Sequence, residues 1–325
     1  MGYNVSAFDL IKQLTQAKRE IEWLNIPTAQ SLQGEILHLD KAYKNFFRNI
    51  KKGINKGFPK FKKKSSKQSC GFCQGVKIIS NKKVYVPKIG NVNIVMHREF
   101  TGVLKTCTIS KAPSGKYYIS MLSEQPEMTT LNTSENEIGI DLGIKEFAVL
   151  SNGERIPNPK FHNKSLKRLK ILSRRLSRKV KGSNNRDKAK LKLARLHERV
   201  SNQRNNFLNE TVHKITQDVK TVCVEDLQVK NMIKNRKLSR SIADVAWGSF
   251  AVKLENKCRD KGIGFIIIDK WNPSSKTCNG CGGIYKGLKL SEREWICETC
   301  GSINDRDLNA SKNILDAGVL LRKSV

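Results

Sequence analysis

Two closely spaced cysteine pairs, Cys278-x2-Cys281 and Cys297-x2-Cys300, constrain this chain more than any other feature. Each pair can present two thiolates from one tight knuckle, and two such knuckles can close tetrahedrally on a single Zn²⁺. Ordinary buried cysteines would need neither the paired spacing nor the glycines at 280, 282, 283 and 301. We therefore expect a structural zinc ribbon over residues 278–300. It runs directly into Asn304-Asp305-Arg306-Asp307-Leu308-Asn309-Ala310, an acidic helix start.

Charge defines the partner. Lys and Arg number 61 against 29 Asp and Glu, a net +32 over 325 residues. A charge this large repels itself unless a polyanion neutralises it, which points to nucleic acid. A membrane surface is the weaker alternative: no apolar run approaches the roughly 20 residues of a spanning helix, and no signal peptide opens the chain. The cysteines outside the quartet read as reduced thiols of a cytoplasmic, nucleoid-associated protein. Cys70 and Cys73 share the CxxC spacing but lack a second pair nearby, so packing or free thiols are expected there.

Apolar residues at spacings of three and four predict an amphipathic helix over 7–24, closed by Pro27, and a second through Leu32, Ile36, Leu39, Tyr43, Phe46 and Ile50. Together they read as a helical hairpin. Lys51 to Lys64 holds seven lysines and no acid, interleaved with Phe58, Pro59 and Phe61, as suits a loop laid along phosphates. A flexible solvated linker is the competing reading. From 75 to 123 short β runs punctuated by glycines predict an antiparallel sheet or small barrel, and 129–136 reads as a linker. Beyond it come a strand at Ile138–Gly143, a hairpin strand at Phe147–Leu150 and one or two long helices over 164–218 breaking near Gly182. Between Lys164 and Arg204 sixteen basic residues face two acidic ones, a one-sided surface suited to a phosphate backbone. Then follow a strand at Thr221–Glu225, a helix from about Ile242 to Lys261, a strand at Gly264–Asp269, the ribbon and a last helix from near Asp307. This is an α/β arrangement with a mixed sheet.

Asp141 and Glu225 each end an apolar strand, and Asp307 stands near the start of the last helix. Any one alone would be unremarked. Adjacent strand ends would set the first two side by side, where the third can join them. Three packed carboxylates repel unless cations neutralise them, and hard oxygen ligands suit Mg²⁺ or Mn²⁺. Two such ions can drive phosphodiester hydrolysis, which fits the polyanionic partner. The five histidines sit in unrelated segments and support no Ser/His/Asp chemistry.

On these residues the chain resembles the TnpB family of insertion-sequence proteins, long labelled OrfB-type transposases and related to the type V CRISPR effector nucleases. The resemblance rests on Gly139-Ile140-Asp141-Leu142-Gly143, Val224-Glu225-Asp226-Leu227, Pro273 to Cys278 with the other three cysteines, and Asp305 to Ala310. It extends over Leu39 to Phe47, Phe58 to Lys64 and Trp247-Gly248-Ser249-Phe250, nearly the whole chain. It implies a RuvC-type, RNase H-like nuclease domain with an inserted zinc ribbon, preceded by a helical recognition segment and a β-barrel wedge domain. The expected layout is 1–57 helical, 58–130 an incomplete β-barrel, 131–277 the first part of the nuclease domain, 278–300 the ribbon and 301–325 the last nuclease helix. The resemblance also implies a guide RNA from the end of the mobile element and a target DNA beside a short flanking motif. Carried over by position, Asp141, Glu225 and Asp307 match the three acids holding the catalytic Mg²⁺ or Mn²⁺; Asp305 is the ambiguous neighbour, with Asp307 preferred for its place in the Asp-x-Asn-Ala part of the motif and Asp305 read as a helix cap. Family members usually begin several dozen residues earlier, so the barrel is expected to lack a strand. An RNA-guided DNA endonuclease is the leading expectation. The alternative is a guided DNA-binding protein that does not cut. A strand-joining transposase lacks a supporting tyrosine.

Overall fold

The computed structural model describes residues 5–54, 57–61, 63, 68–124, 133–269, 272–289 and 292–323. They form two compact units, residues 1–128 and 129–325.

In the first unit α1 (Ala7–Glu20) starts from a capping box between Ser6 and Asp9. The expected single helix over 7–24 stops at Glu20, because Ile21 turns extended and Asn25 Nδ2 caps the Lys18 carbonyl at 2.9 Å; a short 3₁₀ turn at Glu22–Asn25 follows. Thr28 caps α2 (Ala29–Lys51). Six strands come next: β1 (Gln68–Phe72), β2 (Lys77–Ser80), β3 (Lys83–Val86), β4 (Gly90–Asn93), β5 (Val103–Lys111) and β6 (Tyr117–Glu124). They pair as two antiparallel three-stranded sheets, β1-β5-β6 and β2-β3-β4, over a small core of Phe72, Val84, Val86 and Cys107. Strand β1 was not foreseen. It contains Cys70, whose thiol lies 3.1 Å from Ser31 Oγ on α2, while Cys73 is exposed. The basic loop 51–64 and the linker 129–136 fall partly outside the described residues.

The second unit is built on five strands: β7 (Glu137–Leu142), β8 (Glu146–Leu150), β9 (Arg155–Pro157), β10 (Thr221–Glu225) and β11 (Gly264–Ile268), in the order β11-β10-β7-β8-β9. Strands β7, β8 and β9 form an antiparallel meander, while β10 and β11 join β7 in parallel. Helices α3 (Phe161–Ser177) and α4 (Asn184–Ile215) form the first crossover, with Ser183 capping α4 after the break at Gly182. A short turn α5 (Val229–Met232), then α6 (Ser239–Val245) and α7 (Trp247–Asp260), form the second.

The predicted continuous helix over 242–261 is thus two helices. Ala246 takes a left-handed conformation, φ +59°, and the chain restarts at Trp247. Both sides of this break are anchored. Asp244 accepts from His162 N at the start of α3 and from Arg204 Nη2 of α4, while Phe250, Leu254 and Cys258 of α7 are fully buried against the sheet. The opposite face carries α8 (Arg306–Lys323). Between β11 and α8 lies the cysteine region, with its small hairpin of β12 (Glu294–Ile296) and β13 (Ile303–Asp305). Among the described residues no helix is long and apolar enough to cross a membrane.

Candidate active site and metal centre

Strand register brings the first two acids together. In the parallel ladder Val224 of β10 faces Ile140 of β7, so the next residues, Glu225 and Asp141, end up on neighbouring strands. Each is two residues beyond a position touching α8. Gly139 lies against the α8 backbone, where a Cβ would come within 2.1 Å of the Ser311 carbonyl oxygen, and a Cβ on Gly318 would meet Cys223 Sγ at 2.3 Å. Only glycines let helix and sheet approach this closely. Two residues along a strand advance about 6.6 Å and four along a helix about 6 Å. With α8 running back across the strand, the step from Gly139 to Asp141 matches that from Ser311 to Asp307. This is how the third acid reaches the other two.

Their electrostatics record the meeting. Burial pushes the Asp141 carboxyl up to about 7, and the charges of Asp307 and then Glu225 push the same way, with Arg306 and Arg293 partly offsetting them. Burial also raises Glu225, helped by the charge of Asp226. Asp307 is bonded by Arg293 Nη1 at 3.1 and 3.2 Å. Such a set of hard oxygens with too little positive charge fits a divalent cation. Asp305 is otherwise engaged. Its Oδ1 accepts from Leu308 N at 2.9 Å, capping α8, and its Oδ2 meets Arg155 Nη2 at 2.8 Å.

The cysteines form a tighter cluster. The four Sγ atoms lie within 4.8 Å of one another, with 3.8 Å between Cys278 and Cys300 and 3.5 Å between Cys281 and Cys297. Tetrahedral Zn–S bonds of about 2.3 Å require sulfurs about 3.8 Å apart, so the quartet fits Zn²⁺. The Ser302 hydroxyl, 3.4 Å from Cys278 Sγ, pulls that thiol down to about 6, and lowers Cys300 from 3.2 Å. Trp295 stacks on Tyr285 beside the cluster, ring centroids 5.4 Å apart.

Other features escaped the sequence reading. Arg293 carried a signal only in standing four residues before Cys297, Asn309 appeared only as part of the Asp305–Ala310 motif, and Asn279 and Asn313 carried none, because their side-chain partners lie more than thirty positions away. Two recesses flank the acids' unit. A small one of about 90 Å³ lies between Glu225, Leu142, Trp247 and Phe250. A cleft of about 530 Å³ between α3 and α4 is ringed by Arg168, Arg175, Lys192, Arg195 and Arg199. Five cations around one opening form an anion site by charge alone.

Residues 119–236 match the OrfB_IS605 family, described as "Probable transposase", and residues 247–314 match a family described as "Cas12f1-like, TNB domain". A "Putative RNA-guided DNA endonuclease" of Streptomyces pristinaespiralis is 36% identical, over 94% of this chain and 76% of that one. The "Putative RNA-guided DNA endonuclease InsQ" of Escherichia coli K12 is 34% identical, over 92% and 77%. The chain belongs to the TnpB family. A cryo-EM structure of a Cas12f1-sgRNA-target DNA complex superposes with a TM-score of 0.54 at 18% identity, over 88% of this chain and 70% of that one. That match supports the fold: a RuvC-like, mixed-sheet domain with a cysteine ribbon, as expected of a TnpB protein.

Proposed function

We infer that this chain is an RNA-guided DNA endonuclease of insertion-sequence origin, and that Asp141, Glu225 and Asp307 are the ligands of its catalytic cations. The observation that carries this reading is the meeting of three carboxylates from two parallel strands and a helix, with the central one pushed up to about 7. A structural protein gains nothing from such repulsion, whereas sites that bind cations depend on it. The names and family of the relatives supply the guide RNA and the DNA target. Mg²⁺ or Mn²⁺ bound at these acids would activate water and stabilise the leaving oxygen of a DNA phosphodiester.

The chain's own groups have separable tasks. Asp141 gives up its proton as a cation arrives, so neutral to mildly alkaline pH favours loading. Arg293 offsets the charge of Asp307 and stands 46% exposed, within reach of an incoming phosphate. The cations between α3 and α4 hold nucleic-acid backbone without reading sequence, which base pairing with the guide supplies. Zn²⁺ in the cysteine quartet is structural: all four positions are thiolates, leaving none open for substrate.

The deciding experiment co-purifies the chain with RNA from the end of its mobile element and supplies a matched plasmid with Mg²⁺. Wild type cuts, while Glu225→Gln binds RNA equally and loses about a thousandfold in cleavage. Equal cleavage by both proteins would remove Glu225 from the site. RNA-dependent binding with no cutting by wild type would make the chain a guided DNA-binding protein.

A further inference from the structure

The acid helix and the cysteine ribbon are joined by two independent sets of bonds. On one side Arg293, just before β12, holds Asp307, and its carbonyl accepts from Arg306 N at 2.7 Å. On another side asparagines of α8 grip the first cysteine knuckle. Asn309, 4% exposed, accepts from Asn279 N at 2.9 Å and donates to the Thr277 carbonyl at 2.7 Å. Thr277 and Asn279 flank Cys278. One turn further, Asn313 donates to the Ser274 and Thr277 carbonyls at 2.7 and 2.6 Å, and accepts from Asn279 Nδ2 at 3.1 Å. Asn279 Nδ2 also donates to Asp316 Oδ2 at 2.6 Å.

These bonds trace a ring with one gap. From Asp307 it passes through Arg293 and β12 to Cys297, and from Cys278 through Asn279 and Asn309 back to the turn of α8 that bears Asp307. The gap lies between the knuckles, where the protein's own links are weak: Ser302 Oγ and Asn304 Nδ2 stand 3.4 and 3.6 Å from Cys278 Sγ, and Tyr285 stacks on Trp295. A metal bound by all four thiolates closes it. Within the ring Asn309 is the buried link on the helix side. Its single planar amide offers an acceptor oxygen and two N–H donors, matching the N–H and C=O on either side of Cys278, with the Ser274 carbonyl 3.4 Å from the same Nδ2. A carboxylate would set oxygen against the Thr277 carbonyl, and an aliphatic side chain would leave the Asn279 N–H without this acceptor and the Thr277 carbonyl to Asn313.

We propose that Asn309 is a positioning residue that couples the cysteine site to the acid site, so that metal in the ribbon sets the affinity of Asp141, Glu225 and Asp307 for their divalent cation. The coupling rests on the reading of those acids as a cation site. Asn309 itself stays out of the chemistry: it fixes the helix turn on which Asp307 stands. Outer partners that orient metal ligands are worth about 10–100-fold in affinity.

The test is a Mn²⁺ titration followed by electron paramagnetic resonance on the full chain. Wild type, Asn309→Ala and Glu225→Gln are compared, each zinc-loaded and zinc-stripped. Asn309→Ala is expected to keep its zinc by elemental analysis and its far-UV circular dichroism, and to bind Mn²⁺ about tenfold more weakly. Stripping zinc weakens wild type by a similar factor and adds little to the variant, because one ring cannot be opened twice. Should Asn309→Ala fail to fold, Asn313→Ala cuts the same grip one turn along and is expected to show the same non-additive pattern. Unchanged Mn²⁺ affinity in a zinc-loaded variant, or losses that simply add, would overturn the coupling. If wild type takes up no Mn²⁺ that Glu225→Gln abolishes, the cation site itself fails and the coupling with it.

Discussion

The cysteine quartet and, on the function proposed above, the acid trio would both hold ions, in opposite ways. The cysteines fall within residues 278–300, on two knuckles closed by their own backbone bonds, Gly282 N to the Cys278 carbonyl and Gly301 N to the Cys297 carbonyl, each 2.8 Å. The acids come from residues 141, 225 and 307 and meet only because two strands pair in parallel and a helix lies across them. In the ribbon Ser302 favours the ion-binding form of two thiols, pulling Cys278 down to about 6 and lowering Cys300, while Cys281, though lowered by the Gly283 N–H, is raised by its hydrogen bonds with Cys300 and Cys297. At the acids burial and mutual repulsion disfavour it, pushing Asp141 up to about 7. One site gathers its ligands on local turns before any ion arrives, while the other stores repulsion that an ion would relieve. This is the stability cost expected where function needs unsatisfied charge.

The sharpest break in the comparison would come from removing one ligand at each site. Asp141→Asn should lose about a thousandfold in cleavage, yet raise the melting temperature measured without added Mg²⁺, because it removes a repelling charge. Cys297→Ser should lower the melting temperature and release zinc, since metal binding and local folding are linked. Melting shifts of the same sign in both variants would erase the contrast.

pH offers a graded version. Asp141 titrates near 7 in the folded protein against 3.8 for the ordinary group, so between those values the folded state holds a proton that the unfolded state has lost. Stability without added divalent cation therefore falls as pH rises through that window, by at most about 4 kcal/mol at about 1.4 kcal/mol per unit. Added Mg²⁺ should flatten the slope by favouring the deprotonated acids. Melting curves from pH 5 to 8 check this, and a slope that survives Asp141→Asn would assign it to other groups.

The smallest effect sharpens the distinction between neighbouring acids. Asp305→Ala removes a helix cap and the partner of Arg155, for about 1 kcal/mol of stability, and should leave the Mg²⁺ concentration for half-maximal cleavage unchanged. A large rise in that concentration would bring Asp305 into the cation site.

How much of this was legible beforehand follows from the same contrast. The ribbon could be read from spacing, because its ligands lie within one short stretch. The strands around Asp141 and Glu225 were visible as apolar runs ending in acids, and the break at Gly182 as a change of pattern. That the acids meet depends on register, which no local pattern carries; their places at strand ends and at a helix start suggested it, and the resemblance to TnpB proteins matched the same three residues. The kink at Ala246 was hidden because alanine ordinarily favours helix, and only the anchoring of Asp244 and Phe250 to different partners makes the left-handed turn worthwhile. Gly139 entered as part of the Gly139–Gly143 motif, but the reason for a glycine there, the approach of Ser311, is visible only in the fold. The α8 asparagines bond backbone groups some thirty positions away, so the motif around Asn309 marked the residue but not these bonds, and nothing marked Asn313.

The parallel pairing of β7 with β10 also dictates an order of events. A cysteine knuckle is a local turn that a partly folded chain can close, so zinc can capture it early. The carboxylates meet only after distant strands have found one another and α8 has docked, steps whose slowness grows with the separation of the contacting residues. A cation at the acids, on the proposed reading, would therefore find only the finished fold. It would act as a latch on unfolding, lengthening the life of the native state without hastening its formation, whereas zinc could serve as both template and latch.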